Sequence, residues 1–191
     1  VLGSNNRQLL FEYVVAHKDN FIGNFAITNT LRHTIYRHTT YADTDWALSN
    51  DEIDRWKSLL SMLEPENLLE RYRWIFEDSH VDIVEVDKQH LDWKDAFEQI
   101  RIYKHNAITE IEQLHGFEGV CQFAKMVKSP NEVGVSYAYS ANDDTYKRVL
   151  NILLYDRHEA IINFTKGFFS HYTFRNGINS IIPILCSLDF D

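Results

Sequence analysis

Three short segments, Ser49-Asn50-Asp51-Glu52, Ser129-Pro130-Asn131-Glu132 and Asp156-Arg157-His158-Glu159, constrain this chain more than any other feature. Each places a capping side chain three residues before a Glu, so the short side chain covers free backbone N–H groups while the Glu reaches back to the cap. Each is followed by apolar residues at helical spacing. Ile53, Trp56, Leu59, Leu60 and Leu63 share one face after Ser49, and Ala160, Ile161, Phe164 and Phe168 share another after Asp156. The pattern predicts successive amphipathic helices along most of the chain.

The intervening sequence extends that reading. Leu9, Leu10, Tyr13, Val14 and His17 form an apolar stripe, and a second helix is expected over 21–38 with Phe25, Leu31 and Ile35 inward. Thr28, Thr30 and Thr34 oppose it, because β-branched residues are poor helix formers. Residues 39–50 read as a connection anchored by Trp46. Pro65 marks a fresh start at a first helical position, followed by Leu68, Leu69, Tyr72, Ile75 and Phe76. A long helix over 88–116 carries Leu91, Phe97, Ile100, Lys104, Ala107, Ile108, Ile111 and Leu114, and Gly116 closes it in a left-handed conformation. Phe117, Val120, Cys121, Ala124 and Val127 make a compact helix ending before Pro130.

Val133, Val135, Tyr137 and Tyr139 alternate as in a strand, but the cap at Ser129 and Pro130 at a first helical position favour a helix. Gly134, Ala138 and Ala141 then line a small-residue face open to a close neighbour. Asn142 caps the next helix, with Tyr146, Val149, Leu150, Leu153 and Leu154 inward. Gly177 interrupts, and Ile178 to Leu188 is an apolar last helix that Pro183 kinks or displaces and that needs covering. The fold class expected is all-α, with antiparallel helical hairpins stacked as an irregular bundle or short α-solenoid over a single domain, 1–191, with a sub-boundary near 39–50. Val1 to Asn6 reads as an edge, and the chain as a fragment of a longer protein.

Composition limits function. The chain of 191 residues has 45% hydrophobic and 14% aromatic content, which excludes a disordered segment. A net charge of -9 without a basic run disfavours nucleic acid. No apolar stretch has membrane-span length and no signal peptide opens the chain, so a cytoplasmic location without a membrane role is expected. Cys121 and Cys186 read as small buried hydrophobes in a reducing compartment, with a disulfide or a catalytic thiol as the alternative.

The catalytic motifs fail one by one. His158-Glu159 begins like a zinc-protease helix, but the second His position is Ile162; Glu159 is assigned to the helix start instead. Gly134-Val135-Ser136-Tyr137-Ala138 resembles a nucleophile elbow, which requires a strand before Ser136 and a Gly where Ala138 stands. Asp78, Asp82, Glu85 and Asp87 lack the spacing and glycine of a calcium loop and read as a solvated acidic connection. No phosphate-binding loop is present. Tyrosines 137, 139, 146, 155 and 172 read as half-buried core residues, with a partner surface as the alternative.

Leu63-Glu64-Pro65-Glu66, leading to Arg71-Tyr72-Arg73-Trp74-Ile75-Phe76-Glu77, resembles a segment of large multidomain bacterial proteins. The stretch Gly116-Phe117-Glu118-Gly119-Val120, continuing through Ala124, Val127, Pro130, Val133 and Gly134, is similar to the same family. The resemblance covers 49–141 and implies a helical, HEAT- or TPR-like region, often following an NTPase module. It brings no catalytic residue to this chain.

The function expected is a noncatalytic α-helical scaffold or protein–protein interaction region of a larger bacterial protein. It has no catalytic, cofactor or metal residue, and its partner is another protein or other domains of the same polypeptide. One alternative is a small hydrolase or metal-dependent enzyme with a site near His33, His38, Asp43 and Asp45. Another is an antitoxin-like regulatory module.

Overall fold

A computed structural model describes residues 4–77, 81–84, 86 and 91–186. Nine α-helices and no strand occur among these residues, so the protein is all-α. The helices are α1 (Ser4–Ala16), α2 (Phe25–Thr40), α3 (Asn50–Leu63), α4 (Leu68–Tyr72), α5 (Trp93–Met126), α6 (Pro130–Ala138), α7 (Asp143–Tyr155), α8 (Glu159–Asn176) and α9 (Ile181–Cys186). Contacts group the chain into two compact units, Val1–Trp74 with His80–Glu98 and Ile75–Ser79 with Gln99–Asp191. The candidate sub-boundary at 39–50 lies inside the first unit. Leu48 there is buried in the core, and its backbone N–H is tied to His38, so the connection is held within its unit.

In the first unit, Leu31 and Ile35 of α2 pack with Ile53, Trp56, Leu59 and Leu63 of α3 around one apolar core. The threonines do not prevent α2. Thr28, Thr30 and Thr34 donate their hydroxyls to the carbonyls of Asn24, Ala26 and Thr30, which satisfies them on the helix. Asn24 caps α2 by accepting from Ile27 N–H, and the preceding Gly23, at φ 71°, donates its N–H to the Leu63 carbonyl. In the apolar stripe of α1 only Val14 is buried; Leu9, Leu10 and Tyr13 are exposed. Pro65 lies ahead of α4, whose cap is Asn67, with its side chain accepting from Leu69 and Glu70 N–H.

In the second unit, α6 and α8 meet backbone to backbone. A Cβ added at Gly134 would fall 1.9 Å from the Phe164 carbonyl oxygen, and one at Gly167 would fall 2.1 Å from that of Asn131. The small-residue face expected at Gly134 and Ala138 is therefore a contact face, and 133–138 is helical. Phe76 and Phe123 cross edge to face at 5.3 Å, and Phe164 and Phe168 are fully buried. Gly116 breaks α5 at φ 67°, ψ -173°. Asn142 caps α7 as expected. Leu154, assigned inward by periodicity, is exposed, as are Phe97 and Leu114 of the pattern that marked the 88–116 helix. Pro183 lies in the first turn of α9, where its missing N–H is not needed.

Only the first of the three helix-start signatures is a complete capping box. Ser49 Oγ accepts from Glu52 N–H, and the Glu52 carboxylate accepts from Ser49 N–H at 3.0 Å. Ser129 makes no side-chain cap bond; the Glu132 carboxylate instead takes the Lys104 ammonium at 2.9 Å. The cap of α8 is His158, whose Nδ1 accepts from Ala160 N–H, so Glu159 opens the helix rather than closing a box. Asp156 stands two residues before that cap. Its carboxylate pairs with Lys125 at 2.8 Å and accepts from His158 N–H, and these bonds hold it below the usual carboxylate range.

Candidate binding site

Two of the residues proposed for a metal or hydrolytic site, His33 and His38, have partners within the first unit. His33 pairs with Asp82 at 3.2 Å. The His38 Nδ1 accepts from Leu48 N–H at 3.1 Å, a bond that closes the 41–49 connection. Among the described residues, no group of three or more His, Cys, Asp or Glu side chains is arranged to hold a metal ion. Asp78, Glu85 and Asp87 of the acidic connection lie outside the described residues. Ser136 is buried within α6 and donates its hydroxyl to the Glu132 carbonyl, one turn back, so no nucleophile elbow forms there.

Both cysteines are free. Cys121 is buried, and burial pushes its thiol up to about 12; Cys186 is exposed, contrary to its apolar context. Of the five tyrosines, three are core residues. Tyr137 donates to Glu112 at 2.6 Å and Tyr172 donates to Asp143 at 2.9 Å, while Tyr146 packs on Tyr172 and Phe168. Burial, reinforced by the bond to Asp143, pushes the Tyr172 phenol up to about 12. Tyr155 is exposed.

The first unit contains a feature that no motif announced. A cleft of about 470 Å³ is walled by α1, α2, the 41–49 connection and α3, with Leu10, Tyr13, Val14, Leu31, Leu48 and Trp56 among its lining. Its polar wall is formed by Arg7, Arg37 and His38, gathered around Trp46. The Arg37 guanidinium lies 5.5 Å from the Trp46 ring, the His38 ring meets that ring at 5.3 Å, and Arg7 Nη1 donates to the Trp46 carbonyl at 3.4 Å. The Arg7 Nε is buried with no hydrogen-bond partner. Burial, with the charges of Arg7 and Arg37, holds the His38 imidazole below its ordinary 6.5. The sequence pointed to His38 and Trp46 separately. Arg7 escaped notice because it comes close only through a contact 39 residues along the chain.

The second unit displays apolar surface instead. Phe174, Ile178 and Ile182 are 86%, 69% and 56% exposed, and Leu185 is exposed beside them in sequence. No described helix is long and apolar enough to cross a membrane. Comparisons with family models, curated proteins and solved structures return no match for this chain.

Proposed function

We propose that the chain is a noncatalytic α-helical interaction region of a larger bacterial protein, HEAT- or TPR-like in kind, acting in the cytoplasm through a protein partner or other domains of the same polypeptide. The observation that carries this reading is the run of exposed large hydrophobic residues Phe174, Ile178, Ile182 and Leu185. Apolar surface of this kind, concentrated in one segment, is characteristic of surfaces that another protein covers. The engagement of His38 and Ser136 in the scaffold supports the noncatalytic part. Two unpaired cysteines accord with a reducing compartment.

The test is site-specific photo-crosslinking in cells, with the reactive group placed at position 178 and, as a control, at the exposed Gln122. A discrete protein adduct from 178 alone is the expected result, lost on Phe174→Ser/Ile182→Ser substitution. No adduct from 178, or the same adducts from both positions, overturns the reading.

A further inference from the structure

We propose that the cleft of the first unit binds a small amphipathic monocarboxylate, with its aliphatic or aromatic body against Val14, Leu31 and Trp56 and its carboxylate against Arg7, Arg37 and His38. The volume, about 470 Å³, lies in the range of small-molecule sites, which are mostly apolar with a few placed polar groups. The proposal stands independently of the interaction surface in the second unit.

The headgroup assignment comes from a count of donors and acceptors. Thr30 and Thr34, both lining the cleft, already donate to backbone carbonyls of α2. His38 uses Nδ1 as an acceptor for Leu48 N–H, which in the neutral ring leaves the proton on Nε2 as a donor. Arg7 retains a buried Nε without a hydrogen-bond partner, and the exposed Arg37 lays its guanidinium over the Trp46 ring with no ion pair among the described residues. The polar wall therefore carries donors for which the described residues supply no carboxylate, and an anionic acceptor complements them.

Among the described residues, no carboxylate meets that need by an ion pair. In a chain of net charge -9, Arg32 and Arg148 have carboxylate partners at 3.0 and 3.1 Å. No such ion pair reaches Arg7 or Arg37 among the described residues. Glu52 bears electrostatically on His38 and on Arg7 without pairing with either, and its carboxylate is engaged by the Ser49 N–H and hydroxyl at 3.0 and 2.9 Å. Guanidinium groups bind carboxylates through charge-assisted, often bidentate hydrogen bonds. A single carboxylate on an apolar body satisfies both halves of the cleft. A polyanion or a sugar leaves its apolar walls unused.

The experiment is isothermal titration calorimetry of the whole chain with decanoate, decanol and decyltrimethylammonium. Saturable one-site binding of decanoate is expected, about tenfold tighter than decanol, with the cation weaker still. Arg37→Gln changes an exposed residue and should weaken decanoate roughly five- to tenfold while leaving decanol unchanged, with Arg37→Lys restoring part of the loss. Leu10→Trp, which fills the cleft from its rim, should weaken both ligands. Unfolding midpoints equal to the parent's establish that each variant is folded. Equal affinities for decanoate and decanol, indifference to Arg37→Gln, or no saturable decanoate binding each overturns the proposal.

Discussion

Lys104 is 4% exposed, and its ammonium rests 2.9 Å from Glu132 and 5.5 Å from the Phe76 ring. A buried cation stripped of its counter-charge is costly, whereas replacing the whole pair by apolar groups often is not. Glu132→Gln is accordingly expected to destabilise the fold by about 1–3 kcal/mol, below the full cost of an orphaned ion because Glu132 is partly exposed to water. Adding Lys104→Met should recover much of that loss in a denaturant-unfolding cycle; a double variant no more stable than Glu132→Gln alone refutes the assignment. Glu132 was legible as a helix-start residue, but its partner lies 28 positions away, beyond any local pattern. His38 gives a second prediction at this scale. Its folded pKa lies below the 6.5 of the free side chain, so the unfolded chain takes up the proton first as pH falls. The stability His38 contributes is complete above about pH 6.5 and is lost as pH drops through its folded pKa. An NMR titration should place His38 below 6.5, and His38→Gln should flatten the decline of the unfolding midpoint as pH falls below about 6.5. An unshifted imidazole contradicts the burial argument.

The helix-start signatures separate what local sequence determines from what packing decides. Ser49 and Ser129 share the Ser-x-x-Glu pattern, and both precede real helices. At Ser49 the backbone is extended, at φ -64° and ψ 158°, and the reciprocal bonds form. At Ser129 it sits at φ -117° and ψ 65°, and its N–H is drawn to the Phe76 carbonyl. Ser49→Ala should therefore cost about 1 kcal/mol, the usual loss for a cap, and Ser129→Ala less than about 0.5 kcal/mol. Equal unfolding midpoints for the two variants would contradict the difference in geometry. The small-residue face of α6 was legible in sequence because Gly134 and Ala138 lie one turn apart; the matching Gly167 of α8 was not, since nothing local marks it. The contact is reciprocal, and a methyl at position 134 meets backbone atoms that no rotamer change can move aside. Gly134→Ala is expected to destabilise by at least about 2 kcal/mol, at the upper end of ordinary overpacking. A thermal midpoint within a degree or so of the parent, about 0.5 kcal/mol or less, would mean that α6 and α8 have room to separate.

Across the whole molecule, periodicity identified helices correctly and their covered faces only in part. It shows which side of a helix is apolar, not whether another element lies against that side; Leu9, Tyr13, Phe97, Leu114 and Leu154 all belong to apolar stripes and are exposed. The division into two units was equally hidden, because one of its boundaries falls at 98–99, inside the helical pattern expected over 88–116. The cleft was invisible for a related reason, since its walls come from four separate segments. Charge, by contrast, is a property of the whole chain and reads directly. There are 28 acidic against 19 basic residues, and Arg32, Lys104, Lys125, Lys128 and Arg148 are already paired with carboxylates. Affinity for nucleic acid rests mainly on cations that displace counterions from phosphates, and a net charge of -9 opposes the approach of a phosphate backbone. A duplex oligonucleotide is therefore expected to show no mobility shift with micromolar protein at about 0.1 M salt, where fields beyond about 10 Å are screened and only a local basic patch would act. A shift whose binding constant falls steeply as salt is raised would reveal such a patch, and would make nucleic acid rather than protein the partner.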